Sequence, residues 1–307
     1  MTPAIIGPEA EAHLNWDGLV QALIAGHKRP VAEIGDTFLY RREDTLLNRA
    51  AWIDGLGQLV KTATIFPGNG KQGLPTINGA VTLYDDAGGT LQAVIDFHLV
   101  TKWKTAGDSL LAARHLARPD SRNILILGAG TVAQSMTEAY RSAFPDARFT
   151  FWNRSPAGAE AAAAATGAKA ATDLESAVAA ADIIATATMS QEPLIKGEWL
   201  QPGTHLDLIG AYRPDMREVD DETLRRARIF VDARATTIHH IGELKGPIAR
   251  GVISESDVVA DFYDLAKGGF DRRSDDEITL SKNGGGAHLD LMTAAYILEA
   301  WRKAGGS

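Results

Sequence analysis

The chain has 307 residues, enough for two domains and a substantial core. Hydrophobic residues make up 45% and charged residues 23%, as in ordinary globular proteins, and no apolar run approaches the roughly 18 residues of a membrane helix. A net charge of −8 argues against a general nucleic-acid or membrane surface, and the lack of cysteine removes disulfides, thiol nucleophiles and cysteine-ligated zinc.

No signal-peptide pattern is visible at the start, so the chain reads as cytoplasmic. A short extended piece at 3–7 precedes a helical stretch carrying Leu14, Leu19, Leu23 and Ile24. Residues 31–66 read as antiparallel strands, with candidates at 37–40, 45–47 and 59–66. The last holds Lys61 among apolar neighbours. A loop at 67–70 follows, then a strand pair at 79–84 and 91–96 around a hairpin turn. Residues 99–118 read as a helix despite Gly107, and Pro119 closes it; the domain boundary is expected there.

From Asn123 the pattern becomes strand, glycine turn, helix. Ile124, Leu125, Ile126 and Leu127 form the continuous apolar run of a strand buried on both faces. Gly128-Ala129-Gly130 turns the chain, and Ala133 completes a G-x-G-x-x-A pattern. Gly128 permits the sharp turn, Gly130 lets the backbone approach a pyrophosphate, and the helix start at Thr131 and Val132 offers N–H groups to the phosphates. A second strand at 149–152 then leads to Asn153-Arg154-Ser155. An NAD site usually places an acid at that turn. An amide, a guanidinium and a hydroxyl suit a 2′-phosphate instead, so NADPH is the expected cofactor, with NAD(H) possible.

Alternation continues with helices at 157–165 and 173–181, and strands at 182–188, 204–209 and 228–231. A loop is expected at 242–250, helix plus turn at 257–268, a last strand at 276–280, a glycine loop at 283–286 and a final helix at 290–303. The class is α/β, a Rossmann-type doubly wound parallel sheet over 119–280. Thr186, Thr188 and Met189 end a strand at the carboxyl edge of that sheet, where nicotinamide or ribose contact is expected. No histidine or acid spacing suggests a metal; the adjacent His239 and His240 diverge, so no metal site is expected.

Several stretches together resemble one family, the ornithine cyclodeaminase/mu-crystallin proteins. They are LVKTATIFPGN (59–69), LVTKWKTAGDSLLAARHLA (99–117), LILGAGTVA, FWNRS, TATMSQEPLI, IGAYRPDMREVDDE and KNGGGAHLD, in the family's order. The resemblance implies a discontinuous α+β substrate and dimerisation domain at 1–118, rejoined by 281–307, and a dinucleotide domain at 119–280. It implies an active site in the cleft between them, and homodimers built through the N-terminal strands. It also implies that Lys61 and Asp290 are catalytic, that Thr105 and Gly284 approach the cofactor, and that Lys104 stands where the family carries an arginine for the substrate carboxylate. An ammonium there is a point charge rather than a fork. Arg49 best replaces the family's early arginine, with Arg41 the alternative.

The largest departure is Tyr212, where true cyclodeaminases carry aspartate. Mu-crystallin-like ketimine reductases also lack that acid and share the Arg-Pro-Asp pattern. The resemblance therefore points to reduction of a small 2-imino acid, with 1-pyrroline-2-carboxylate or 1-piperideine-2-carboxylate as candidates. A cyclodeaminase and a non-catalytic NADPH-binding protein are the alternatives. Tyr212 would then offer a neutral hydroxyl or a flat wall to the substrate, and His288 either lines the site or sits in the core. Lys61 is either a core-edge lysine or a carboxylate ligand and proton donor whose pKa burial lowers.

Overall fold

Alternation of buried and half-buried positions runs along Gly57–Ile65, the strand that holds Lys61, and sets one face of it inward. In the computed structural model, which describes residues 2–306, this strand lies inside a six-stranded sheet. Its strands are β1 (Ala4–Ile6), β2 (Glu33–Arg41), β3 (Asp44–Ile53), β4 (Gly57–Ile65), β5 (Ile77–Tyr84) and β6 (Leu91–Asp96). They lie in the order β1-β6-β5-β4-β3-β2, antiparallel except where β1 runs parallel to β6. The sheet belongs to a first unit formed by the chain up to Lys104 and again from Gly286 onward.

Helix α1 (Trp16–His27) starts at Asn15, whose side chain accepts the Gly18 N–H at 2.7 Å. It packs on the last helix of the chain (Ala287–Lys303), which also lies across β3, β4 and β5. Leu19 and Leu23 of α1, Leu59, Val81 and Ile95 of the sheet, and Leu289 and Ile297 of the last helix are all buried. By contrast every residue of β2 is exposed, including Phe38, Leu39 and Tyr40. Helix α2 (Phe97–Leu116) begins where Asp96 accepts the Leu99 N–H at 2.7 Å, and the division between the units falls within it. Gly107 does not interrupt it. The expected loop after β4 is a 3-10 turn over Pro67–Gln72, ended by Gly73 in the left-handed region.

The second unit, Thr105–Gly285, holds eight parallel strands. They are β7 (Asn123–Leu127), β8 (Arg148–Trp152), β9 (Lys169–Ala170), β10 (Ile183–Thr186), β11 (His205–Leu208), β12 (Arg228–Val231), β13 (Val258–Ala260) and β14 (Thr279–Lys282). Their order is β13-β12-β14-β11-β10-β7-β8-β9. The order reverses between β7 and β10, the switch point of a doubly wound sheet. The helices are α3 (Thr131–Ala143), α4 (Pro156–Thr166), α5 (Leu174–Ala179), α6 (Asp221–Arg226), α7 (Arg234–Thr237) and α8 (Gly242–Ala249); the last helix of the chain is α9. Leu125, Leu127, Ile184, Leu206, Leu208, Val231 and Leu280 form the core from the strands. The Tyr140 hydroxyl donates to the buried Asp207 carboxylate and ties α3 to β11.

Three expectations fail locally. The loop expected at 242–250 is helix α8, with Pro247 inside its second turn. Gly242 is a packing requirement rather than a turn signal, because a Cβ there would stand 2.4 Å from the Pro214 carbonyl oxygen. The helix expected at 257–268 is a short strand, β13, between two 3-10 turns. Val258 and Val259 favour the sheet edge, and the Asp261 carboxylate accepts the Tyr263 N–H and restarts the chain as a turn. The last strand is Thr279–Lys282 instead of 276–280, because Lys282 still pairs with Leu208 of β11 and Val231 of β12.

Candidate active site

Pairing register places Arg49, Lys61 and Val81 opposite one another on β3, β4 and β5, with Asp36 of β2 next in the row. These side chains therefore share one face. Lys61 is only 6% exposed. Its Nζ donates to Asp290 Oδ1 of α9 at 2.8 Å and to Thr101 Oγ1 of α2 at 2.9 Å, and it lies 4.7 Å from the centre of the Phe97 ring. Burial pushes the Lys61 pKa down; Asp290 opposes that push, while Lys104 and Arg49 add to it. Burial acts the other way on Asp290, raising its pKa, but Lys61, Lys104 and Arg49 outweigh it and hold the carboxyl below its ordinary value. Asp290 Oδ2 has no hydrogen-bond partner among the described residues.

The charges of Lys61, Lys104 and Arg49 thus all act on the buried Asp290 carboxylate, and Lys104 is itself buried. Arg49 also grips Asp36, with Nε at 3.2 Å and Nη2 at 2.7 Å. Arg41, at the end of β2, pairs with Asp44 instead and does not share the row. His288 is buried in α9 with its ring edge-on to His27 of α1, 5.4 Å between centres. What this face offers chemically is excess positive charge beside a lysine held in one place. That suits an anionic group and a proton transfer.

In the second unit the glycine turn has the shape the motif requires. Gly128 sits at φ +110°, and a Cβ there would stand 2.6 Å from the Ala187 carbonyl oxygen. Gly130 has open space where a side chain would be, α3 starts with no side-chain cap, and Ala133 is buried against the sheet. Thr131 is exposed and Val132 half-buried at that helix start. A phosphate group fits there on geometry, since the uncapped helix end and the bare Gly130 backbone are what it needs. At the end of β8, Asn153 Nδ2 donates to the Ser155 carbonyl at 3.2 Å, and Arg154 and Ser155 are exposed. Thr105 is half-buried on α2.

The carboxyl edge differs from a bare row of contacts. The hydroxyls of Thr186 and Thr188 both donate to Glu218, at 2.7 and 2.6 Å, rather than standing open. Met189 is exposed, and Tyr212 is 57% exposed with the Arg213 guanidinium 6.0 Å from its ring centre. Gly284 is crowded: a Cβ would stand 2.2 Å from Thr237 Oγ1, and the next residue, Gly285, gives its N–H to Asp232 Oδ2 at 2.7 Å. Glu218, Glu243 and Lys282 are wholly buried and escaped the sequence reading. Lys282 Nζ donates to the carbonyls of Leu208 and Asn283 at 2.7 and 2.9 Å, and burial pushes its pKa down against nearby acids. Burial, with Glu218 adding to it, pushes Glu243 up to about 7. Acids in the charged run 215–222 carry no sequence mark of which one turns inward.

A family model described as the ornithine cyclodeaminase/mu-crystallin family matches residues 54–305. The chain belongs to the ornithine cyclodeaminase/mu-crystallin family. Within that family it is 50% identical over 301 residues to a delta(1)-pyrroline-2-carboxylate reductase of Paracoccus denitrificans, covering 94% of each chain. It is 32% identical over 243 residues to the ketimine reductase mu-crystallin of Mus musculus, covering 78% of this chain and 75% of that one. Among solved structures, an archaeal alanine dehydrogenase dimer with bound NAD superposes with a TM-score of 0.89 at 28% identity, covering 100% and 98%. The α/β architecture is thus the family's own.

Proposed function

We propose that this chain reduces a small 2-imino acid, such as 1-pyrroline-2-carboxylate or 1-piperideine-2-carboxylate, to the amino acid with a nicotinamide dinucleotide as reductant. The observation that carries it is the buried Lys61–Asp290 pair with Lys104 and Arg49 around it. The likeness to a pyrroline-2-carboxylate reductase over nearly the whole chain supports it. Lys104 and Arg49 bind the substrate carboxylate, which fixes the C=N carbon. The dinucleotide, when bound, supplies hydride to that carbon. Lys61, its ammonium oriented by Asp290 and Thr101, supplies the proton that the imine nitrogen gains. Burial lowers the Lys61 pKa and makes that proton easier to give. Gly128, Gly130, Thr131 and Val132 receive the pyrophosphate.

NADPH is the preferred form in this reading, supported by Asn153, Arg154 and Ser155 standing at the end of β8 where an NAD site carries an acid. The protein works as a homodimer in the cytoplasm. The exposed apolar side chains of β2 support the dimer, since a long apolar edge strand is left covered only by a partner. No helix among the described residues is long and apolar enough to cross a membrane. The test is a panel of cyclic imines and of oxo acids with amines, followed by absorbance of NADPH and NADH. Steady oxidation with a 2-imino acid is expected. Robust ammonia release from ornithine with NAD, rivalling imine reduction, would replace this reading with the cyclodeaminase one.

A further inference from the structure

Glu218 lies outside every role assigned above, yet its carboxylate gathers the segments that follow two strands of the second unit. Its Oε1 accepts the Thr188 N–H at 3.0 Å and the Thr188 hydroxyl at 2.6 Å. Its Oε2 accepts the Thr186 hydroxyl at 2.7 Å and the N–H groups of Gly210 and Ala211 at 2.8 and 3.1 Å. Every partner is a donor, so the arrangement needs an acceptor at both oxygens, which a carboxylate alone provides. The residue is itself held from behind, because its own N–H and that of Val219 donate to Glu243 at 2.8 and 3.1 Å. Space is as tight as the bonding: a Cβ on Gly210 would stand 2.0 Å from the Thr188 carbonyl oxygen.

The clamped segments follow β10 and β11, on the far side of the switch point from β8. The first also abuts the glycine turn, where the Ala187 carbonyl closes on Gly128. A dinucleotide with its adenosine at the end of β8 and its pyrophosphate on that turn would extend its other half toward these segments. We infer that Glu218 is a positioning residue, locking the loops after β10 and β11 into the shape that receives the nicotinamide half of the cofactor. This rests on the dinucleotide part of the proposed function. It also gives Thr186 and Thr188 a task, as holders of Glu218 rather than as direct ligands.

Glu218→Gln keeps the size but must turn an NH2 group toward fixed backbone donors, Thr188 on one side or Gly210 and Ala211 on the other. The test measures dissociation constants of the full-length protein for NADPH and NADH, and for ADP-ribose and its 2′-phosphate, which lack nicotinamide. In Glu218→Gln the dinucleotides are expected to weaken about tenfold while the nicotinamide-free ligands change less than about twofold. Thr188→Val, which loses one hydroxyl and keeps the backbone bond, should show the same split at about threefold and decides the matter if Glu218→Gln does not fold. Equal weakening of both ligand classes, or none, would overturn the inference and leave the cofactor reading intact. A wild-type protein that binds no dinucleotide would overturn both.

Discussion

Lys61 and Asp290 show how burial and charge compete at single residues. A buried ion pair contributes little net stability when whole, but removing one partner strands a charge and costs about 3–5 kcal/mol. Asp290→Asn should therefore lower stability by about that amount in urea unfolding at neutral pH and abolish imine reduction. The sign of its pH dependence follows from the lowered pKa of Asp290. The stability this carboxylate contributes is present above the ordinary aspartate value of 3.8 and is lost as pH falls through its lower folded value. The gap between wild type and variant should close in acid; a gap of constant size at every pH would show that Asp290 is not ionised in the fold. Arg154 is the second residue with a sharp consequence. Arg154→Ala should raise the Michaelis constant for NADPH much more than that for NADH. Unchanged constants for both would remove the NADPH preference. Gly128 was legible in the sequence because its chemistry is tied to a spacing, and Lys61 because its strand resembles the family's lysine strand. Glu218 and Lys282 were not, since burial of a charged residue is decided by strands far away in the chain.

Elements read unevenly, and for physical reasons. The continuous apolar run 124–127 declared itself in the sequence, whereas the strand expected at 59–66 runs over 57–65, and its alternation shows only in its burial. The edge strands β9 and β13 have two and three residues, too few to show a period at all. Helix α8 was hidden by Gly242 and Pro247, residues that usually mark turns, because the glycine answers to a neighbouring backbone instead. The β7–α3 turn is exposed to a single change. Gly128→Ala would hold a non-glycine residue at φ +110° and drive its Cβ into the Ala187 carbonyl, 2.6 Å away. Strain of about 1–3 kcal/mol is expected, with dinucleotide affinity falling in isothermal titration. Full affinity in that variant would mean that the turn does not carry the phosphates.

At the scale of the whole molecule, β2 is the feature that a lone chain explains least. Tyr40 is 72% exposed and Phe38 stacks beside it, 6.1 Å between ring centres. Light scattering should report a dimer for the wild type and a shift to monomer for Leu39→Asp with Tyr40→Asp, without loss of helix content. A dimer that persists in the double variant would place the interface elsewhere. The first unit is also built from both ends of the chain, since α9 returns to the sheet that the early strands form. That arrangement has a consequence in time. Lys61 and Asp290 are separated by 229 residues, so at about 5–20 residues per second the ribosome delivers the acid roughly ten to fifty seconds after the lysine. Throughout that interval the nascent sheet holds an ammonium whose counter-ion has not yet been made. A half-made chain therefore has a reason to keep the Lys61 strand wet and unsealed until its final helix emerges.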